Sequence, residues 1–189
     1  MTASVPVGVV LFIIGSSGRS DEGTIDTCIE TATEGIEVDL CAETKYKNRF
    51  QKHIAPEVIE GYEYREGVML RYSKSGSLRS SEYTKAIIYT LSDAIYINAR
   101  TVSVVSEEVR ELSAEIPFVS IDRFEIVSDE KRLEFMKKTF STRAFRLLIE
   151  YGDGQSLSLP ITSSINSDKL VERIAKQITE AKRQASEQQ

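Results

Sequence analysis

The sequence predicts an α+β fold: a curved antiparallel β-sheet or barrel capped by a C-terminal α-helix, with an N-terminal β-α-β extension ahead of it. Three observations predict it. Apolar residues recur with period two through much of residues 62–161, as half-buried strands require. Asp153-Gly154 lies between two such runs and is the strongest hairpin signal in the chain. Leu170, Val171, Ile174 and Ile178 then change to helical spacing and form one apolar stripe.

The chain of 189 residues can bury a full core without a metal or a disulfide framework. Its apolar fraction, 41%, is that of an ordinary globular protein. The net charge of −5 lacks the basic footprint of a general nucleic-acid binder, so nucleic acid is not an expected partner. Charge is unevenly spread: residues 1–44 carry eight acidic residues against Arg19 alone, so the remainder is mildly basic. The two cysteines, Cys28 and Cys41, provide neither a zinc quartet nor a disulfide framework and read as reduced thiols.

Residues 5–14 form an apolar run rich in β-branched side chains. The run is shorter than the ~20 residues that span a bilayer, and no basic residue precedes it as in a signal peptide. It reads as a buried strand, and the protein as cytoplasmic. Gly15, Ser16, Ser17 and Gly18 end it as a loop. Residues 24–33 place Ile25, Cys28, Ile29 and Ala32 at helical spacing, with Gly35 as the stop. Ile36, Val38 and Leu40 alternate with Glu37 and Asp39 as a short strand. Residues 45–59 read as partly helical, broken before Pro56, with a new turn starting there.

From Tyr62 onward strands dominate. Val68, Leu70 and Tyr72 alternate, and residues 73–81 form a serine-rich hairpin loop. Residues 85–90 and 95–98 are strands joined by a Ser92-Asp93 turn. Residues 106–112 read as one or two helical turns with Ser106 as N-cap. Residues 116–127 form one long strand in which a bulge near Ser120 returns Ile121 to the core side. Phe145, Leu147 and Ile149 lead into a tight type I′ turn at Asp153-Gly154, and Leu157, Leu159 and Ile161 return. A helix over residues 167–182 follows, with a frayed polar tail at 184–189.

The segment Ile116-Pro117-Phe118-Val119-Ser120-Ile121, followed by Phe124-Glu125-Ile126, resembles a recurring strand of bacterial pleckstrin-homology-like (PH-like, GRAM-like) domains. Thr90-Leu91-Ser92-Asp93 followed by Ile95-Tyr96-Ile97 is similar to the hairpin ahead of that strand, with the order of Thr and Leu altered. Pro56-Glu57-Val58-Ile59-Glu60-Gly61-Tyr62-Glu63 resembles the entry segment. The resemblance covers residues 56–183 and implies two nearly orthogonal sheets closed at one corner by the helix. It divides the chain into an extension (1–55), a PH-like domain (56–183) and a tail (184–189). Such domains bind lipid headgroups in some families and proteins in others, so the fold does not fix the role.

No catalytic set stands out, and no cofactor or metal is expected. His53, the single histidine, lies among Lys52, Arg49 and Pro56 and reads as a surface residue. Gly15, Ser16, Ser17 and Gly18 follow a strand and precede a helix, a context that can cradle an anion. They lack the Gly-Lys-Ser/Thr ending of a phosphate loop, and Asp21 and Glu22 oppose phosphate, so a bland loop is the better reading. Between residues 130 and 146, Lys131, Arg132, Lys137, Lys138, Arg143 and Arg146 outnumber Glu130 and Glu134. Phe135, Met136 and Phe140 lie among them. On a long loop this set is a solvated connection anchored by Leu133, Phe135 and Met136, a protein-docking surface, or a contact for an anionic membrane. Arg143 and Arg146 have opposite strand parity and do not share a face.

The expected function is therefore a non-catalytic protein-interaction or assembly module, with a protein partner or self-association. The alternatives are a peripheral module binding anionic lipid headgroups through residues 131–146, and a small enzyme or nucleotide binder using the N-terminal segment.

Overall fold

The computed structural model describes residues 22–106, 108–162 and 167–187. The strand expected at residues 5–14 and the loop Gly15, Ser16, Ser17 and Gly18 lie outside the described residues. The described chain is mixed α+β. Helix α1 (Glu22–Ala32) precedes strands β1 (Glu57–Tyr62), β2 (Leu70–Tyr72), β3 (Leu78–Ser80), β4 (Glu82–Thr90), β5 (Ala94–Ser103) and β6 (Val109–Pro117). Strands β7 (Ile121–Phe135), β8 (Lys138–Tyr151) and β9 (Gln155–Ile161) and helix α2 (Ser167–Glu187) follow.

All pairing among the described residues is antiparallel, in sheets ordered β1-β4-β5-β6, β2-β3 and β7-β8-β9. These sheets do not close into a barrel. The first and third meet where β1 crosses the end of β9. There Thr162 N donates to Glu60 O at 2.8 Å. Gly61 permits the crossing, because a Cβ there would stand 3.1 Å from backbone atoms of Pro160 and Ile161. Between these sheets lies the main core, including Ile88, Ile97, Ile116, Leu147 and Ile149. The stripe on α2 seals it: Leu170 and Ile174 are buried, and Val171 and Ile178 pack alongside.

Residues 34–51 cover the opposite face of the β1-β4-β5-β6 sheet. Ile36 and Leu40 are 2% and 1% exposed, and with Tyr46 they pack on Ile87, Tyr89, Leu91 and Ala94. The alternation of Ile36, Val38 and Leu40 is thus one of burial, yet these residues join no ladder. Side chains of the sheet take the place of a partner strand. Val38 N donates to Tyr89 Oη at 2.8 Å, and Asn98 Nδ2 donates to Ile36 O at 2.6 Å. Arg100 Nη1 donates to Ala32 O at 3.2 Å and Glu34 O at 2.9 Å. The turn that leads from α1 into this strap passes through Gly35 at φ +68°, a backbone state that costs glycine little.

Several expectations are corrected. Residues 45–59 form no helix. Single turns run over residues 43–50, with Phe50 N donating to Tyr46 O at 2.8 Å, and Pro56 leads into β1 rather than a new turn. The reason is tertiary: Tyr46 and Phe50 point into the sheet, 5.3 Å from Tyr96 and 6.2 Å from Tyr89. The residue before a proline also favours extended backbone.

Within the span 106–112 expected to form helical turns, residues 109–112 are strand instead, because β6 pairs with β5 from Val109 to Pro117. A full ladder outweighs an isolated helical turn, whose nucleation is unfavourable. The continuous strand expected over residues 116–127 is broken at a 3-10 turn, Phe118–Ser120, where the chain leaves one sheet for the other. A register shift lies between Ile121 and Arg123, close to the bulge expected near Ser120, and Ile121 is buried.

The loop expected over residues 73–81 spans only residues 73–77, because Leu78–Ser80 pairs back as β3. The Asp153-Gly154 turn is a three-residue loop, since Tyr151 pairs with Gln155, and its positive φ values fall on Gly152 and Gly154. Residues 184–187 are helical rather than frayed. Arg183 bonds to Glu180 and Glu187 along the last turns.

Two outcomes follow from this packing. Gly61→Ala forces β1 away from β9 and lowers stability by about 1–3 kcal/mol in urea denaturation. Hydrogen bonds from Lys45, and then Arg49, hold the Glu115 carboxyl below its ordinary 4.5. A lowered native value stabilises the fold above pH 4.5 and is lost as pH falls through it. Glu115→Gln therefore gives a shallower loss of stability on acidification below that pH.

Candidate functional site

The basic segment is not a loop. Residues 131–146 belong to the β7–β8 hairpin, paired without interruption from Arg123↔Glu150 to Phe135↔Lys138. Only Met136 and Lys137 remain between the strands, at φ +48° and +61°. Positive φ at both central residues is what a two-residue type I′ turn requires, and Asn-Gly normally supplies it. Here two residues with full side chains occupy the strained backbone.

The hairpin is held from one side. Leu133 and Phe140 are buried and join Val68, Leu70 and Leu78 in a small cluster with the β2–β3 hairpin. Tyr72 lies 5.5 Å from the Phe140 ring. Phe135 packs on this cluster, so Leu133 and Phe135 anchor the hairpin as expected. Met136 does not, because it stands 80% exposed at the tip.

The fold separates the six basic candidates. Lys137 and Lys138 follow Met136 at the tip, both exposed. Lys131 lies 3.4 Å from Asp129. Arg132 and Arg143 border a shallow groove with Glu130 and Ser141. Arg146 lies on the opposite strand face from Arg143. It pairs with Glu63 at 3.0 Å and donates to Ser158 Oγ at 2.6 Å, so it serves the junction between the sheets. Among the described residues, Arg132, Lys137, Lys138 and Arg143 meet no carboxylate.

Sequence reasoning missed a second feature. A cleft of about 490 Å³ opens between the β2–β3 hairpin, the end of β1 and the middle of β8. Tyr62, Tyr64, Tyr72 and Phe145 give it aromatic walls, and Arg79 and Arg143 stand in it. Burial pushes the Tyr62 phenol up, and the Tyr64 phenol up to about 12. Both phenols are therefore neutral at physiological pH. Tyr64 Oη donates to Leu78 O at 2.6 Å, tying the cleft wall to β3. The tyrosines at 62, 64 and 72 were visible as a cluster in sequence, but their convergence with residue 143 depends on the β2–β3 hairpin folding back.

His53 is exposed in a turn. Cys28 is buried on α1 and burial raises its thiol, while Cys41 is half-buried and both are unbridged. Among the described residues, no group of three or more His, Cys, Asp or Glu side chains is placed to hold a metal. No helix among them is long and apolar enough to cross a membrane. Comparison with protein-family models, curated proteins and solved structures finds no match to this chain.

The strained turn has a measurable consequence. Lys137→Gly relieves left-handed strain at the tip and raises stability by about 0.5–1 kcal/mol in thermal or urea unfolding.

Proposed function

We propose that this protein is a non-catalytic, PH-like peripheral module that docks on anionic membrane surfaces through the tip of the β7–β8 hairpin. The observation that carries the reading is Met136, 80% exposed at the apex and followed directly by Lys137 and Lys138. An exposed apolar side chain held at a strained tip beside two cations suits insertion at an interface rather than folding. Strain of this kind collects where function requires it.

The magnitudes fit reversible docking. Each Lys or Arg near an anionic surface contributes roughly 1 kcal/mol. Burying the Met136 side chain adds about 1.5–3 kcal/mol. The acidic residues gather in residues 1–44, so an anionic surface favours approach by the mildly basic remainder, which includes the hairpin. A cytoplasmic address agrees with this reading, because that leaflet carries the anionic lipid. The PH-like assignment is supported by the β1-β4-β5-β6 sheet, the β7-β8-β9 sheet and the closing helix, in that chain order.

A protein-docking or self-association role rests on a different surface. Among the described residues β6 pairs on one side only, and Val109 and Leu112 are 46% and 39% exposed along it. An open edge of this kind accepts an added strand.

Co-sedimentation with vesicles separates the readings. The protein pellets with phosphatidylcholine vesicles that contain phosphatidylserine, and not with phosphatidylcholine alone. Binding falls with added salt. Met136→Asp and Lys138→Glu each abolish it. Equal binding to neutral vesicles, or binding indifferent to both substitutions, overturns the membrane reading.

A further inference from the structure

We infer that the cleft between the β2–β3 hairpin and β8 binds a small soluble oxyanion carried on a flat apolar body, such as an aryl phosphate, sulfonate or carboxylate. This inference does not depend on membrane docking, since it concerns a different surface of β8.

The walls define the ligand. Phe145 lies under the Arg143 guanidinium, with 5.7 Å from ring centroid to Cζ, and Tyr62 lies under that of Arg79 at 5.9 Å. Tyr72 and Tyr64 supply further ring surface. At about 490 Å³ the cleft falls within the roughly 300–1,000 Å³ range of small-molecule sites.

Charge narrows the class further. Arg79 is already matched, with Nη1 2.6 Å from Asp26 Oδ1 on α1. Arg143 is not: it reaches the Ser128 hydroxyl at 3.3 Å, and Glu130, opposite it in the ladder, makes no ion pair with it. A guanidinium fixed over a ring and lacking a carboxylate favours an oxyanion, which it can grip with two donors. A cation is repelled by two arginines. A neutral apolar ligand would desolvate Arg143 without pairing it. A bare phosphate leaves the aromatic walls unused.

Asp26 then acts as a built-in competitor for one of the two guanidiniums. Removing its charge frees Arg79 to grip the same ligand.

The test uses the lipid-free full chain with anilinonaphthalene sulfonate as fluorescent probe, and with phenyl phosphate and inorganic phosphate as competitors. The dye binds one site and phenyl phosphate displaces it, whereas inorganic phosphate does not. Arg143→Gln weakens dye binding about tenfold or more, the loss expected for a charged hydrogen bond. Asp26→Asn tightens it. Arg132→Gln and Lys137→Glu, outside the cleft, leave it unchanged. Equal losses for Arg143→Gln and Arg132→Gln would mean diffuse attraction and overturn the proposal. Should Arg143→Gln fail to fold, Asp26→Asn decides, and affinity that is unchanged or weaker there overturns it.

Discussion

Burial of the β1-β4-β5-β6 sheet on both faces is the constraint on which the rest of the structure depends. One face meets the second sheet and α2, while the other meets the strap from Ile36 to Phe50. A strap without a ladder would leave its N–H and C=O groups unpaired against an apolar surface, at about 1–3 kcal/mol for each buried group. Tyr89 and Asn98 reduce that cost by bonding to its backbone, and Arg100 bonds to the turn that leads into it. Lys45 and Arg49 complete the attachment through Glu115, and Arg49 also reaches Asp93 at 2.8 Å. The polar residues on this face of β5 and β6 are therefore fasteners for the strap.

Ion pairs mark the two ends of β1. Arg173 of α2 meets Glu57 at 3.1 Å at its start. Just past its end, Glu63 accepts from Arg146 and from Thr84 Oγ1, which also lies 2.7 Å from Thr101 Oγ1. Beside it, buried Glu82 accepts from Arg65 and, at 2.6 Å, from Arg110. Buried charges of this kind add little net stability over apolar packing, but removing one partner is costly. They fix where β1 ends and the β2–β3 hairpin begins, and that hairpin forms one wall of the cleft. The arrangement around Arg143 thus depends on pairs that never touch it.

The hairpin tip and the cleft share a physical theme. In each, a favourable local interaction is left unmade. The tip forgoes the glycine its backbone favours and exposes a methionine. The cleft holds a stacked guanidinium without a carboxylate.

The sequence by itself determined β4, β5 and β9, the first half of β7 and the second half of β8 in outline, the α2 stripe, and α1 with its stop at Gly35. Each of these rests on a local period or a turn residue. It also determined which side chains of residues 36–40 are buried, and that Arg143 and Arg146 lie on opposite strand faces. Tertiary structure decided the rest. Whether residues 36–50 were strand, helix or strap depended on a sheet whose strands lie tens of residues away. Residues 106–112 carry helix-capping chemistry, but β5 offered a full ladder. The basic run looked like a loop because its turn, Met136-Lys137, lacks the Asn-Gly signature that marks a tight hairpin. The cleft was invisible because its rings and guanidiniums come from four separate strands. Periodicity reports which side of an element is buried, and only the assembled sheets decide what buries it.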